Sequence, residues 1–486
     1  MHYPQVIDKR EEKAKSNNGL NPKHMISLEY WIGKYNIPVP RYTSYPPANL
    51  FSSQYSSQEL KEDILRSNEE GSKAISYYIH TPFCRKLCHF CACNKIPMLH
   101  NGTDEEVHTY FKYLQREIEL VEELLHPDRP IAQIHFGGGS PTSVPLHYII
   151  EIVDRLTHHR LLRTDAEIAI EAHPGYLSRE MWDQLISAPF TRFSIGIQDL
   201  NKEVLQIANR TPSLVDIREV IAAIQDQGKR VNLDFIYGLP GQSVLSFTKS
   251  IEQAIEMAPD RLVTFSYAHV PWLYPQQKIL EKRGLPSVEE KKEMYDETAK
   301  MMTAAGYVQV GLDHFVRPDD PLAVALQEHT LHRNFQGYCP RTLSGQVYAL
   351  GVTGISQLHH SYAQSIKDNN GYYQALDERR LPTAIGYKLT KEECLARDII
   401  TDLMCNYRTN PLQHAENYGL HLSKLDELPI LQKERLEEML TDQLLSIDNN
   451  GLIVINPAAH LFVRNVASTF DIHYQPTNPR GYSKPI

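Results

Sequence analysis

Cysteine is scarce in this chain: seven residues in 486 cannot make a disulfide framework. No apolar run reaches the roughly 20 residues that a membrane-spanning helix needs, so no membrane span is expected. The opening stretch MHYPQVIDKREEKAKSNNGL lacks the apolar segment of a secretory signal, which sets the expectation of a cytoplasmic protein. An excess of positive charge is missing too. Lys plus Arg number 50 against 59 Asp plus Glu, a formal net charge of −9, and no basic stripe stands out. Nucleic acid is therefore not an expected partner. No internal repeat or low-complexity tract appears. What remains is ordinary for a globular protein, 42% hydrophobic and 22% charged, and long enough for about three domains or one large domain with appendages.

The first 24 residues are polar and charged and read as mobile, with Met25 as an alternative start. Four prolines in NIPVPRYTSYPPANL exclude a helix over 36–50 and predict an extended arm. From about residue 74, short β-branched and aromatic runs alternate with helical patterns. The strand candidates are 74–82, 131–137, 167–173, 192–198, 231–238 and 261–270. Helices are expected at 103–125, where Thr103 and Glu106 are spaced as a capping box, and at 146–159, 178–188, 201–226, 244–258 and 288–306. Six strand–helix units imply right-handed crossovers and an α/β fold: an open (β/α)6-type partial barrel of parallel strands, with an N-terminal arm and a C-terminal α-rich domain. GYVQVGLDHFVRPDD is expected to add a strand and a turn, and the stretch from about 317 to 380 reads as mixed and loop-rich. The boundaries drawn are 1–50 for tail and arm, 51–315 for the barrel, 316–388 for a barrel extension covering the substrate, and 389–486 for the mostly helical C-terminal domain.

The polar and glycine residues of this region cluster at the C-terminal ends of the strand candidates: Cys84, Gly137–Gly139, Glu171, Gln198, Asp234 and the Ala268–His269 pair. Parallel α/β sheets and barrels place their ligand sites on that rim. Strand ends meet solvent and carry polar residues for that reason alone, but six strands doing so point to a shared site.

Four of the seven cysteines fall within ten residues, in Tyr78-Ile-His-Thr-Pro-Phe-Cys84-Arg-Lys-Leu-Cys88-His-Phe-Cys91-Ala-Cys93. Clustered thiolates bind zinc or iron–sulfur clusters. Zinc commonly takes its ligands as two pairs separated by a longer insert, and no second pair lies at such a distance. A compact C-x3-C-x2-C loop after a strand fits an iron–sulfur cluster better. Four ligating cysteines would close a [4Fe–4S] cluster, whereas Cys84, Cys88 and Cys91 alone would leave one iron open; spacing does not choose between these.

The C-x3-C-x2-C loop resembles that of the radical S-adenosylmethionine (SAM) superfamily. The wider chain is similar to the oxygen-independent coproporphyrinogen III oxidases (dehydrogenases) in PRYTSYP (40–46), YIHTPFCRKLCHFCACNK (78–95), HFGGGSPT (135–142), GIQDLNKEV (196–204), DFIYGLPGQ (234–242), YAHVP (267–271), DHFVRPDD (313–320), HRNFQGY (332–338) and RNVASTFD (464–471). The resemblance implies that Cys84, Cys88 and Cys91 hold a [4Fe–4S] cluster whose fourth iron chelates SAM, with two SAM molecules bound in all. It implies cofactor contacts at Tyr78, Phe90, Gly138, Gly139, Ser140, Glu171, Gln198, Arg210, Asp234, Ala268 and Ile355. Ser140 stands where the family commonly has Thr, and the hydroxyl is kept. Ala172-His173-Pro174 stands where better-known members have Val-Asp-Pro, so a role for an acid at 173 is lost. Cys93 is then not a ligand but a free thiol near the cluster. It is the one candidate for a catalytic side chain.

The implied reaction converts two propionates of coproporphyrinogen III to vinyl groups in haem biosynthesis. A radical derived from SAM removes a hydrogen from the propionate β-carbon, and CO2 and one electron leave. The implied partners are the tetrapyrrole, a low-potential electron donor and an electron acceptor, and the enzyme is expected to be a monomer. A substrate with four propionates requires local cations in a chain of net negative charge; Arg41, Arg317, His332 and Arg333 are the candidates. The alternatives are a haem-binding chaperone of the same superfamily, another porphyrin-directed radical SAM enzyme, and a zinc-stabilised binding protein. Cys93, and the sequence His332-Arg-Asn-Phe-Gln-Gly-Tyr338 where the chaperones carry His-Asn-x-x-Tyr-Trp, favour the oxidase.

Overall fold

The computed structural model describes residues 27–98 and 104–475. The expected mobile tail, Met25 and the Thr103 cap lie outside the described residues.

The six expected strands form, as Ile75–Thr81, Ile131–Gly138, Leu162–Ala172, Arg192–Gln198, Arg230–Tyr237 and Arg261–Ser266. They are parallel neighbours in that order. Ile75, Tyr77 and Ile79 are buried on one face of the first strand while Ser76, His80 and Thr81 are buried as well. Burial on both faces is what a parallel sheet covered by crossover helices requires. The helices supply the cover through apolar stripes; Leu146, Ile149, Ile152, Val153 and Leu156 of Leu146–His159 are buried at helical spacing. Ser178, Ser243 and Ser287 cap the helices that follow them, which fixes where each crossover turns.

The sheet is larger than six strands. It has twelve, and Gln346–Leu350 pairs parallel with the first barrel strand as a seventh parallel member. This corrects the loop-rich reading of 317–380. Ile355–Gln357, Ser361–Ser365 and Thr383–Lys388 continue that side as antiparallel strands. On the other side Val308–Val310 and His314–Val316 form an antiparallel ribbon against the sixth barrel strand, two strands where one was expected.

A second correction concerns 201–226. The expected single helix is broken into Lys202–Ile207 and Ile217–Asp226. Asn209 takes a left-handed φ of 57°, and Pro212 follows in the gap. Proline restricts the residue before it and removes a donor, so the helix cannot run through. The break carries Arg210 to the rim.

The end of the barrel opposite the rim is closed by a buried ionic plug. Glu167 accepts from Arg192 at 3.0 Å, and Arg261 donates to Asp320 at 2.8 Å. Burial pushes the Glu167 carboxyl up, but Arg192 and Arg261 prevail and hold it down to about 2.

The N-terminal segment has its apolar partners far along the chain. Trp31, Tyr35, Tyr42 and Tyr45 share one core with Leu395, Ile399, Leu403, Phe462, Val466 and Phe470. The indole N–H of Trp31 donates to the Asp442 carbonyl at 2.8 Å, and Tyr42 donates to Asp471 at 2.9 Å. The C-terminal region combines helix Lys391–Asn406 with a three-stranded sheet of Arg408–Thr409, Ile453–Ile455 and Leu445–Ile447.

Candidate functional site

The barrel strands end together, and the residues at their ends converge. Cys84, Cys88, Cys91 and Cys93 line one cavity of about 170 Å³ with Phe90, Gly138, Gly139, Ser140, Glu171, Gln198, Arg210 and Asp234. Six barrel-end and loop segments thus meet at one place; the Ala268–His269 end of the sixth strand does not line this cavity. A second cavity of about 360 Å³ adjoins it and shares Cys93, Gly138 and Glu171. Its other walls include Tyr78, His80, His135, Phe335, Gln336, Thr353 and Ile355.

The cysteine loop is held from outside itself. Asn209 donates to the Leu87 carbonyl at 2.8 Å, and His89 N–H donates to the Ala208 carbonyl at 3.0 Å. On its other flank Gln276 donates to the Cys91 carbonyl at 2.8 Å. The fully buried Gln277 donates to the carbonyls of Phe90 (3.1 Å) and Ala268 (3.3 Å) and accepts from Val270 N–H (2.6 Å). Phe90 and Ala268 are therefore locked to each other through one amide side chain.

The glycine loop is tight for a steric reason. Gly138 sits at φ 113°, and a Cβ there would meet the His80 ring at 2.7 Å and the Thr81 carbonyl at 2.9 Å. Only glycine fits such a position without strain. Ser140 N–H donates to the Phe83 carbonyl at 2.9 Å, tying this loop to the start of the cysteine loop. Gln198 also has a left-handed φ, 70°, where the register of the fourth strand shifts against the fifth. A bulge there re-aims its side chain at the strand end.

The charged residues are positioned by neighbours on adjoining strands. His135 contacts Glu171 at 3.0 Å, and Tyr78 stacks on His135 with ring centroids 5.9 Å apart. Ser194 and Asn232 each donate to Asp234 at 2.8 Å. Burial nevertheless raises the Asp234 carboxyl above its ordinary range. Arg210 reaches Cys88 Sγ at 3.6 Å and also donates to the Gly196 carbonyl. His80 is pushed down to about 4 by burial and so is neutral near pH 7.

The donor chemistry fits an iron–sulfur cluster. All seven cysteines are free thiols. Burial, reinforced by Cys91 and Cys88, pushes the Cys84 thiol up to about 12. A hydrogen bond from Cys93 holds Cys91 down to about 6. A thiol that keeps its proton so firmly ionises when a metal displaces the proton. Among the described residues no three His, Cys, Asp or Glu side chains gather as ligands of a single metal ion. Thiols gathered on one cavity beside the Arg210 guanidinium are the donor set that an iron–sulfur cluster uses. Gly138, Gly139 and Ser140 border the same cavity, leaving a backbone edge facing the thiols.

The remaining sequence candidates scatter. Ala268 lies beside the cysteine loop through Gln277, and Ile355 lines the second cavity. Arg333 is on the hairpin Leu331–Asn334 and Gly337–Pro340, whose tip, Phe335–Gln336, enters the second cavity. Arg41 is exposed and lies near Arg464. His332 is held near 4 by burial and neighbouring Arg341, so it is no cation at neutral pH. Arg317 is at the wrong end: its N–H donates to the Asp260 carbonyl, at the start of the sixth strand and across the barrel from the rim. Residues that sequence reasoning passed over are His80, His135, Tyr176, Gln276, Gln277 and Gln336. His80, His135 and Gln336 stood inside quoted motifs without being singled out; Tyr176, Gln276 and Gln277 are brought in by loops whose paths the sequence does not specify.

Among the described residues no helix is long and apolar enough to cross a membrane. The radical SAM superfamily model matches residues 78–254. A relative from Synechocystis sp., named oxygen-independent coproporphyrinogen III oxidase, is 35% identical over 446 residues, 91% of this chain and 94% of that protein. One of the same name from Escherichia coli K12 is 36% identical over 453 residues, with the same coverage. A solved structure, coproporphyrinogen III oxidase (HemN) from Escherichia coli, described as a radical SAM enzyme, matches with a TM-score of 0.81 at 35% identity, over 89% of this chain and 98% of that one. The chain belongs to the oxygen-independent coproporphyrinogen III oxidase family of the radical SAM superfamily.

Proposed function

We propose that this protein decarboxylates two propionates of coproporphyrinogen III to vinyl groups without O2, giving protoporphyrinogen IX. The observation that carries the reading is the convergence of Cys84, Cys88 and Cys91 with Gly138–Ser140, Glu171, Arg210 and Asp234 on one cavity at the barrel rim. When bound, a reduced [4Fe–4S] cluster and SAM supply low-potential, hydrogen-abstracting chemistry, and the substrate loses H, CO2 and one electron per vinyl formed.

The chain's own part is holding, orienting and shielding. Cys84, Cys88 and Cys91 hold the cluster, and the Arg210 guanidinium beside Cys88 offsets thiolate charge. The Gly138–Gly139 backbone and the Ser140 hydroxyl receive the amino-acid end of SAM, with Glu171, Gln198 and Asp234 as polar partners. Phe90 and Ala268, joined through Gln277, flank the nucleoside. Tyr78, Glu171 and Ile355 line the adjoining cavity, where a second SAM has room. Cys93 stays a free thiol bordering both cavities, and its hydrogen bond to Cys91 gives it a structural role in the loop.

A low-potential electron donor, a separate electron acceptor, a monomeric enzyme and the cytoplasm belong to the same reading. Seven unbridged cysteines support a reducing compartment. The domain division at residues 50, 315 and 388 belongs to it as well. The separate apolar cores of the barrel and of the C-terminal region support a boundary near 389, but the arm packs in the C-terminal core.

Anaerobic reconstitution with iron and sulfide, then SAM, dithionite and coproporphyrinogen III, tests the function. Protoporphyrinogen IX is expected together with methionine and 5′-deoxyadenosine. SAM cleavage with no tetrapyrrole product rejects the substrate and leaves the superfamily standing.

A further inference from the structure

The second cavity does not end at Ile355. The ribbon Ile355–Gln357 and Ser361–Ser365 pairs Ile355 with Gln364 and Gln357 with Tyr362. Ile355 and Gln364 line the second cavity, whereas Gln357 and Tyr362 line a third, of about 20 Å³. Residues two apart on a strand point to the same face, about 7 Å along it. The hairpin opposite repeats this arrangement: Phe335 and Gln336 line the second cavity and Arg333 the third. The two cavities therefore follow one another between the same two elements, with the third further from the cysteine loop.

The third cavity has the lining of an anion pocket. Its lining includes Arg333 and Arg397 and the hydroxyl-bearing residues Thr43, Ser44 and Thr401; no carboxylate lines it, and Arg397 has its ion-pair partner, Asp398, outside the lining. Arg397 is fixed by donating to Asp398 Oδ1 at 3.2 Å and to the His359 carbonyl at 2.8 Å. Arg333 lies over the Tyr338 ring at 4.9 Å, and its Nε is buried with no hydrogen-bond partner. Among the described residues no carboxylate pairs with Arg333 within salt-bridge distance; the acidic group nearest in effect is Asp313, which pairs with His314. A buried guanidinium N–H left without an acceptor costs more than an ordinary missing hydrogen bond, so the position is primed for an anion. About 20 Å³ is room for one or two water-sized groups, the scale of a carboxylate's oxygens, and excludes a pyrrole ring.

We propose that Arg333 and Arg397 form a carboxylate-binding pocket that anchors a propionate of the tetrapyrrole not undergoing reaction, with the arm residues Thr43 and Ser44 completing it. The inference rests on the substrate assignment above. Two of the four propionates remain intact, and a pocket set back from the cysteine loop is where an unreacted one belongs. SAM also carries a carboxylate, so the shared chemistry is carboxylate binding, and the experiment separates the two sources.

The test uses reconstituted holoenzyme carrying Arg333→Met, Arg397→Met or the conservative Arg333→Lys. KM and kcat for coproporphyrinogen III are measured beside the SAM Kd, the iron content and the binding of coproporphyrin III as an air-stable probe. Loss of a charge-assisted bidentate contact is expected to raise KM and the probe Kd on the order of 10- to 100-fold, with Arg333→Lys intermediate. SAM affinity and four irons per chain should persist, which also certifies that the variants fold. An unchanged KM and probe Kd in both methionine variants overturns the anchor while wild-type turnover keeps the enzyme assignment. A rise in SAM Kd alone gives the pocket to SAM's carboxylate and overturns propionate anchoring. A wild-type holoenzyme that neither binds the probe nor turns over coproporphyrinogen III overturns the substrate assignment and the anchor with it.

Discussion

Glu117 offers the sharpest quantitative test of the fold around the site. Its carboxylate is buried in helix Asp104–Glu122 and accepts from Gly351 N–H and from the Tyr372 hydroxyl, both at 2.6 Å. Those contacts position the loop that leads from Gln346–Leu350 to Thr353 and Ile355 in the second cavity. Burial dominates over both hydrogen bonds and pushes the carboxyl from 4.5 up to about 7. Because the folded value lies above the unfolded one, the group favours the folded state fully below pH 4.5, and that contribution is lost as pH rises through 7. Between pH 5.5 and 8.5 the loss is about 2 kcal/mol, taking about 1.4 kcal/mol per pKa unit. Glu117→Gln keeps an acceptor for Gly351 and removes the titration. The variant should therefore gain about 2 kcal/mol on the wild type across that interval. Urea unfolding followed by circular dichroism, with both proteins at each pH, measures the difference. A difference that stays level from pH 5.5 to 8.5 refutes the argument, as does one that shifts against the variant.

Three further outcomes follow from named contacts. Cys84→Ser, Cys88→Ser and Cys91→Ser should each abolish the visible iron–sulfur absorption after reconstitution, whereas Cys93→Ser should keep it; iron and sulfide analysis decides. Gln277→Leu strands the carbonyls of Phe90 and Ala268 and the Val270 N–H, and should raise the SAM Kd about 10- to 100-fold with the iron content intact. Equilibrium dialysis with labelled SAM reads that change. Trp31→Ala removes a buried indole packed against Phe462 at 6.3 Å, and should cost about 3–5 kcal/mol in urea unfolding of the C-terminal core.

The barrel strands were legible because a parallel sheet covered on both faces demands continuous β-branched and aromatic runs, and 131–138, 192–198 and 230–237 supply them. The rim was legible because cysteines, glycines and acids followed those runs. Gln346–Leu350 escaped because it is five residues long and its membership of the sheet depends on pairing with a strand about 270 positions earlier. The break at 208–216 was signalled by Pro212, but the apolar period on either side masked it. Arg317 and Arg333 look alike in sequence; only the closing ribbon and the 331–340 hairpin place one below the barrel and the other beside the cavities. Gln277 was invisible for a simpler reason: glutamine in a proline-rich loop announces nothing until its three backbone partners are known.

The sharing of one core by the two ends of the chain sets an order of events during synthesis. Trp31 and Tyr35 leave the ribosome more than 400 residues before Phe462 and Phe470 do. Every strand of the large sheet precedes residue 389 and can pair before that happens. The arm can therefore find its apolar partners only after the whole barrel sheet has been synthesised.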